Sequence, residues 1–307
     1  MRKKLLFPSR LKAGDTIGIA APASHFKKEP FKRGLAVLAS MGFNVSVPDN
    51  LFVKEGFFAG SDQHRAELLN RLFADRDIDA IICARGGFGS IRILPFLNFD
   101  AIRNNPKPFV GFSDITALLS AFYLKCGLIT FHGPTVTTLG DATRKAKNAL
   151  KATLSTDNQL LITPKKVTII RPGTASGVVF GGNLTTLCHL LGTPFESRFK
   201  GQLLFLEDRG EAPYRIDRML TQMKLAGCFG GLEGLILGSF KDCGRSSEIF
   251  GIVKDIFKDD EIPILAGFEV GHMQSNITIP VGLSATLNTD RQELVFHKPS
   301  TSDKPGT

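Results

Sequence analysis

Apolar segments and amphipathic segments alternate along the first half of the chain. Patterns typical of buried strands occur at 15–23, 43–48, 79–85, 107–112 and 128–134. Between them, apolar residues recur at helical spacing at 30–42, 61–75, 90–97 and 114–127. Strands that alternate with helices predict βαβ units and a mainly parallel, doubly wound sheet. The loops that follow the strands then meet at one edge of the sheet, where ligands of such sheets usually bind.

The second half of the chain has a different pattern. Short strand patterns with glycine-rich ends dominate it, and only two helix patterns are clear, at 184–192 and 214–227. We therefore predict an α/β protein with two domains. A Rossmann-like (flavodoxin-like) parallel-sheet domain is expected at 1–145 and a smaller, β-rich α/β domain at 176–307. Residues 146–175, which carry proline, glycine and basic side chains, are the expected linker.

Composition and charge narrow the class of protein. Of the 307 residues, 43% are hydrophobic and 22% are charged, as in ordinary globular proteins. The sequence has neither the roughly 18 consecutive apolar residues of a membrane span nor the apolar core of a secretory signal, which predicts a cytoplasmic protein without a membrane partner. The net charge of +9 is spread along the chain without a nucleic-acid-binding motif, so no nucleic-acid partner is expected. The tail, 299–307, is expected to be disordered.

The cysteines indicate neither a metal site nor a redox site. There are five, an odd number, and none forms a C-x-x-C pair. Cys83, Cys126 and Cys188 lie in apolar segments and are expected to be buried thiols. We predict that the protein uses no metal and no organic cofactor.

A serine follows the strand pattern at 107–112 and directly precedes a helix pattern. Ser113 thus stands where a strand-to-helix turn presents a hydroxyl beside the free N–H groups of a helix. The segment resembles a nucleophile elbow, although it lacks the second glycine of G-x-S-x-G. From this segment alone, Ser113 fits an ordinary N-cap serine as well.

Glycines follow the strand pattern at 79–85. Gly86, Gly87 and Gly89 allow the backbone to approach a phosphate or an oxyanion closely. The third glycine of a dinucleotide-binding loop is missing, because Arg92 occupies its position. Plain turn glycines explain the segment equally well.

An acid and a histidine in the second half complete a possible triad. Glu207 and Asp208 follow a strand pattern, where a carboxylate can orient an imidazole. A solvated acid at a strand end is the alternative. His132 and His272 each follow a buried strand pattern and have nearly equal claim to be the base, whereas His189 is expected to pack inside a helix. The pattern alone leaves these choices open.

Six sequence blocks occur in a recognisable order. They are ARGGFG (84–89), GFSDITAL (111–118), FHGP (131–134), GGNL (181–184), LEDRGEAPYRIDRML (206–220) and GHMQSNITIPVG (271–282). Together they resemble the LD-carboxypeptidase family, also called muramoyltetrapeptide carboxypeptidases. The resemblance covers residues 14–290.

The resemblance implies a fold and a set of catalytic residues. It implies a Rossmann-like domain joined to a smaller β-rich domain, with the active site between them. Ser113 corresponds to the family's nucleophile, Glu207 to its acid and His272 to its base. The backbone N–H groups of Gly87 and Asp114 correspond to the oxyanion hole.

The resemblance implies an activity, which is hydrolysis of the L,D bond to the terminal D-alanine of cytosolic murein tetrapeptides, a step of peptidoglycan recycling. It also implies that the enzyme is a homodimer. Arg85 is a candidate contact for the substrate carboxylate. Two alternatives remain open. One is an immunity-type serine peptidase that cleaves peptidyl or aminoacyl nucleotide antibiotics, and the other is a non-enzymatic nucleotide-binding protein that uses the glycine loop.

Overall fold

A computed structural model describes residues 4–303 of the chain. Its strands are β1 (Thr16–Ala20), β2 (Asn44–Ser46), β3 (Ala80–Cys83), β4 (Phe109–Gly111), β5 (Thr130–His132), β6 (Leu161–Ile162), β7 (Thr168–Arg171), β8 (Thr174–Asn183), β9 (Gln202–Arg209), β10 (Gly234–Lys241), β11 (Ile264–Ala266), β12 (Ile279–Val281), β13 (Ser284–Asn288) and β14 (Glu293–Phe296).

The α-helices are α1 (Lys28–Ser40), α2 (Asp62–Ala74), α3 (Ser90–Ile93), α4 (Phe99–Asn104), α5 (Thr116–Cys126), α6 (Val136–Leu139), α7 (Arg144–Ser155), α8 (Leu184–His189), α9 (Pro213–Leu225) and α10 (Ser246–Ile256). Short 3₁₀ helices occur at Asp49–Phe52, Leu94–Phe96 and Ser113–Ile115.

The described residues divide into two units. The first comprises the residues up to Asp157, the segment Ile277–Gly282 and the residues from Pro299 onward. The second comprises Asn158–Asn276 and Leu283–Lys298.

A six-stranded sheet forms the centre of the first unit. Its strand order is β12-β5-β4-β3-β1-β2. Strands β1 to β5 are parallel, and β12 pairs with β5 in the antiparallel sense, with Ile279 opposite His132. This sheet confirms the predicted parallel architecture. Its central strands β1 and β3 are almost completely buried, as expected for parallel strands covered on both faces.

Local signals set the helix ends of the first unit. Ser61 is the N-cap of α2, and its Oγ accepts the N–H of His64 at 3.2 Å, as is typical of a serine at this position. Helix α5 ends at Gly127, whose φ of +75° is the left-handed conformation that favours glycine. The ends of these two helices are therefore set by local sequence signals.

The second unit is built on an eight-stranded mixed sheet. Its order is β6-β14-β13-β8-β9-β10-β11-β7. Strands β8 to β11 are parallel, and the strands outside them pair in the antiparallel sense. The prediction of a β-rich α/β unit is confirmed. The sequence predicted two helices here, but α10 is a third; its apolar residues Ile249, Val253 and Ile256 are buried at helical spacing.

Two segments are more regular or more buried than their composition indicates. The expected linker, residues 146–175, contains most of α7 and all of β6 and β7. The tail was predicted to be disordered, and for 299–303 this is wrong, because Ser300 and Thr301 are buried and Ser300 Oγ donates to the Thr153 carbonyl at 2.7 Å. Residues 304–307 lie outside the described part of the chain.

Candidate active site

Ser113 lies at a sharp junction between a strand and a helix of the first unit. Strand β4 ends at Gly111, and the 3₁₀ turn that begins at Ser113 leads directly into α5. Ser113 has a φ of +63°, one of the few left-handed conformations at a residue other than glycine. Such a conformation costs about 1–3 kcal/mol and is often found at functional sites. A strained serine on a strand–turn–helix is the geometry of a nucleophile elbow.

The glycine loop that follows β3 lies against this serine. A Cβ added at Gly86 would stand 3.1 Å from the Ser113 Cβ and 3.4 Å from its Oγ. Gly87 has a φ of +107°, and a Cβ there would stand 2.5 Å from the Ser24 Oγ. A side chain at Gly86 would therefore crowd Ser113, and one at Gly87 would clash with Ser24 and be strained by its positive φ. The sequence predicted a glycine loop and a nucleophile, and the structure brings them together.

The backbone N–H groups of the glycine loop and the serine turn differ in whether they are already hydrogen-bonded within the protein. The Phe88 N–H donates to Ser24 Oγ at 3.0 Å, and the Ser90 N–H donates to Asp114 Oδ2 at 2.8 Å. Within residues 4–303, neither the Gly87 N–H nor the Asp114 N–H donates a hydrogen bond. These are the two amides that the family resemblance implies for an oxyanion hole, and available donors are what that role requires.

The Asp114 carboxylate is an internal acceptor. Burial raises its pKa above the ordinary value, and this effect outweighs the hydrogen bonds from Ser90 and Gly89 and the attraction of Arg65, which lower it. The Ser90 Oγ also donates to the Asp114 carbonyl. Asp114 therefore joins the serine turn to the end of the glycine loop. The sequence predicted only its backbone amide and missed its side chain.

Glu207 and His272 form a hydrogen-bonded pair in the second unit. Glu207 lies near the end of β9 and is fully buried, and its Oε2 lies 2.7 Å from the Nδ1 of His272. The same oxygen accepts the His272 N–H at 3.2 Å. A carboxylate at Nδ1 fixes the ring and leaves Nε2 as the basic nitrogen, which is how a triad acid orients its histidine. The imidazole is 14% exposed, so it is accessible to a reactant.

Gly271 and Asn276 fix the loop that carries His272. Gly271 has a φ of +105°, and a Cβ there would collide with the Glu207 carboxylate. The Gly271 N–H donates to Asn276 Oδ1 at 2.8 Å, and Asn276 is buried. The histidine can approach its acid this closely because residue 271 has no side chain. No pattern in the sequence indicated this role of Asn276.

Asp208, the neighbour of Glu207, serves a different purpose. Successive residues of a strand point to opposite faces, and Asp208 accepts hydrogen bonds from Asn183 Nδ2 at 2.9 Å and from the Thr185 Oγ1 and N–H at 2.8 and 2.9 Å. Its pKa is raised because burial outweighs the hydrogen bonds from Thr185 and Arg209, and the charge of Glu207 raises it further. Asp208 therefore fixes the start of α8, and Glu207 is the acid that meets a histidine.

The remaining histidines are less suited to act as a base. His132 is the last residue of β5 and is fully buried, with its ring 5.9 Å from that of Phe112. His189 was expected to pack inside a helix, but it is exposed at the end of α8. The prediction for His189 is wrong because the side of α8 that packs inward carries Leu184, Leu187 and Cys188.

The other candidate features have these positions. Arg85, the candidate substrate contact, is exposed, and its Nη1 donates to the His25 carbonyl at 2.9 Å. All five cysteines are buried free thiols, as predicted for Cys83, Cys126 and Cys188. Within residues 4–303 there is no cluster of three or more metal-binding side chains. No helix in that range has the length and apolar character to cross a membrane.

The candidate residues thus form two groups. Ser113, Asp114 and the glycine loop belong to the first unit, and Glu207 and His272 belong to the second. In the first group Asp114 is hydrogen-bonded to Ser90 at the end of the glycine loop, and in the second Glu207 is hydrogen-bonded to His272.

Family profiles match both units of the chain. The LD-carboxypeptidase N-terminal domain matches residues 17–133, and the LD-carboxypeptidase C-terminal domain matches residues 176–287. The chain belongs to the LD-carboxypeptidase family. The resemblance found in the sequence blocks is thereby confirmed, and membership places the chain among hydrolases.

Two relatives indicate the range of activities in this family. The "Probable murein peptide carboxypeptidase" of Bacillus subtilis (strain 168) is 37% identical over 299 residues, which are 94% of this chain and 93% of the relative. The "Microcin C7 self-immunity protein MccF" of Escherichia coli is 32% identical over 327 residues, 94% of this chain and 95% of the relative.

Solved structures agree with both relationships. MccF in complex with glutamyl sulfamoyl guanosine has a TM-score of 0.89 at 28% identity and covers 97% of this chain and 100% of its own. The muramoyltetrapeptide carboxypeptidase from Oxalobacter formigenes has a TM-score of 0.81 at 29% identity and covers 92% of this chain and 97% of its own. The LD-carboxypeptidase fold is therefore shared along almost the whole chain.

Proposed function

We propose that this member of the family is a serine LD-carboxypeptidase that releases terminal D-alanine from murein tetrapeptides. The observation that supports this most directly is the 2.7 Å contact between Glu207 Oε2 and His272 Nδ1, in which the buried acid orients an accessible imidazole. The left-handed Ser113 at its strand–helix junction supports the assignment of the nucleophile.

In the proposed reaction, His272 Nε2 accepts the proton of Ser113 Oγ as this oxygen attacks the carbonyl carbon of the L,D bond. Glu207 keeps the other ring proton on Nδ1 and stabilises the imidazolium that forms. The charge on the carbonyl oxygen is stabilised by the N–H groups of Gly87 and Asp114. Removing one such donor typically reduces kcat about 10²–10³-fold.

The second half of the reaction reverses these proton movements. The imidazolium of His272 protonates the amine of D-alanine, and the C–N bond breaks to leave an acyl-enzyme on Ser113. A water molecule then loses a proton to His272 and attacks the ester, which frees the serine. The reaction needs neither a metal nor an organic cofactor.

The substrate class is proposed from the relatives and from charge. The Bacillus subtilis relative is described as a probable murein peptide carboxypeptidase. A tetrapeptide that ends in D-alanine carries a free carboxylate, and the net charge of +9 attracts such anions. The exposed guanidinium of Arg85 is a proposed carboxylate contact. We further propose that the enzyme works in the cytoplasm as a homodimer.

A second candidate function is the immunity-type peptidase activity. It is favoured by the likeness to MccF, whose structure with glutamyl sulfamoyl guanosine has a TM-score of 0.89 with this chain. The same serine, histidine and acid would act on an amide of an aminoacyl nucleotide. The two candidates therefore differ in substrate and not in chemistry.

The deciding experiment compares two substrates on the same purified protein. Wild type is incubated with murein tetrapeptide and with glutamyl sulfamoyl adenosine, and the amino acid released from each is quantified. The proposal predicts that kcat/KM for D-alanine release exceeds that for the nucleotide analogue. The reverse order would assign the chain to the immunity-type activity. If neither is cleaved and a nucleotide raises the Tm, the non-enzymatic alternative is favoured.

A further inference from the structure

Arg65 is a buried, charged residue whose guanidinium donates hydrogen bonds to the backbone of several loops. It lies on α2, and its side chain has no exposed surface. Its guanidinium donates to the carbonyls of Gly89 at 2.9 Å, Pro22 at 2.5 Å and Gly60 at 3.2 Å, and it pairs with Asp62. A charged group is unfavourable in the interior unless its donors are used. Here most of them are used on the backbone of three separate loop segments.

Gly89 is held from the opposite direction by Asp114. The Asp114 carboxylate accepts a hydrogen bond from the Gly89 N–H and another, at 2.8 Å, from the Ser90 N–H. Gly89 has a φ of +113°, and a Cβ there would stand 2.7 Å from the Phe58 ring and 3.1 Å from Arg65 Nη1. Both polar groups of Gly89 are thus bonded to side chains of opposite charge. We refer to Arg65, Gly89 and the Asp114 carboxylate as the Gly89 clamp.

We propose that Arg65 and the Asp114 carboxylate are positioning residues, which fix Gly89 and thereby set the direction of the Gly87 N–H in the oxyanion hole. This inference rests on the proposed function, in which the Gly87 and Asp114 amides stabilise the oxyanion. Gly87 is only two residues from Gly89, and Asp114 carries both the second amide and the carboxylate. The Gly89 clamp therefore fixes the two oxyanion donors relative to each other.

The consequence is a specific kinetic pattern. Donors that are displaced lose stabilisation of the transition state, whereas binding of the ground-state peptide is largely kept. A displacement of about 1 Å can reduce the rate about 10²-fold. We expect Arg65→Lys and Asp114→Asn each to lower kcat about 10²-fold and to change KM less than about threefold. Because both residues act on Gly89, the loss in the double variant should be smaller than the product of the two losses.

Arg92 provides the matched control. Its guanidinium pairs with the same Asp62 at 2.8 Å and lies 4.9 Å from the same Phe58 ring as that of Arg65, but within residues 4–303 its side chain has no hydrogen bond to Gly89. The Arg92 backbone N–H does donate to the Gly89 carbonyl, at 3.2 Å, and a substitution of the side chain keeps this bond. Arg92→Gln should leave kcat within about twofold of wild type. A loss of kcat in Arg92→Gln equal to that in Arg65→Lys would contradict the role of the Gly89 clamp.

The test measures D-alanine release together with the rate at which a fluorophosphonate labels Ser113, because labelling needs the oxyanion donors but no natural substrate. Circular dichroism and Tm identify variants that fold. If Arg65→Lys does not fold, the nearly isosteric Asp114→Asn decides. Slower labelling and lower kcat in folded variants support the inference. Unchanged rates in folded variants overturn it while the proposed function stands. A wild type that neither releases D-alanine nor is labelled overturns the proposed function, and this inference with it.

Discussion

Glu207 Oε2 accepts both the ring Nδ1–H and the backbone N–H of His272, at 2.7 and 3.2 Å. The acid therefore fixes the position of the residue as well as the tautomer of its ring. Because Glu207 is fully buried, no water competes for this oxygen. The pair is fixed before any substrate arrives.

Glu207→Gln tests the contribution of this charge. The amide keeps the volume of the side chain but cannot stabilise the imidazolium, so we expect kcat to fall about 10²–10⁴-fold with little change in KM. The measurement is the steady-state rate of D-alanine release, with Tm as a check on folding. Glu211→Gln, which removes a charge from an acid that pairs with exposed Arg215, is the control and should retain activity. Equal kcat in the two variants would refute the role of Glu207.

Gly271→Ala tests the close approach of the histidine loop to its acid. The methyl group would be strained at a φ of +105° and would also collide with the Glu207 carboxylate. Gly210→Ala is a matched control, because Gly210 has a φ of +76° and a Cβ there would meet no atom within 4 Å.

We expect Gly210→Ala to lose about 1 kcal/mol of unfolding free energy from backbone strain alone. Gly271→Ala should lose clearly more and should also lose most of its activity, because His272 is displaced. Urea unfolding and D-alanine release measure the two effects. Similar losses in both variants would mean that strain, and not the contact with Glu207, explains the glycine.

The raised pKa of Asp208 predicts that the free energy of unfolding depends on pH. Because burial raises its pKa, Asp208 ionises less readily in the folded than in the unfolded chain. Its contribution to stability is therefore fully present below the unfolded pKa of about 3.9 and is lost as pH rises through the raised folded value.

The Asp208→Asn variant lacks this titration. The unfolding free energy of wild type minus that of Asp208→Asn should therefore decrease as pH is raised from about 4 to about 7. Urea unfolding at a series of pH values measures the difference, and Asp217→Asn, at an exposed position of α9, serves as the control. A difference that increases with pH would show that the hydrogen bonds to Asp208 outweigh its burial.

Much of the fold could be predicted because its signals are local. The alternation of strands and helices, the Ser61 cap and the apolar strands β1 and β3 follow from periodicity and burial. The pairing of β12 with β5 could not, because Ile279 and His132 are far apart in sequence and no local pattern specifies a strand partner. The buried tail residue Ser300 was missed for the same reason: its partner is the distant carbonyl of Thr153.

The candidate site, like the fold, could be predicted from the sequence only in part. Residue types and their positions after strands pointed to Ser113 and Glu207, but not to the left-handed φ of Ser113, which its surroundings impose. The choice between His132 and His272 stayed open because burial and the contact with Glu207 arise only in the folded chain. Asp114 is the clearest omission, since nothing in its sequence context indicates that its carboxylate accepts the N–H of Ser90.

The most direct test of the central claim is D-alanine release from purified murein tetrapeptide by wild type, Ser113→Ala and the control Ser40→Ala, whose hydroxyl lies at the end of α1. We predict release by wild type and by Ser40→Ala, and a loss of at least about 10³-fold in a folded Ser113→Ala. Release that persists in Ser113→Ala would contradict the assignment of the nucleophile, and the absence of release from folded wild type would contradict the proposed substrate.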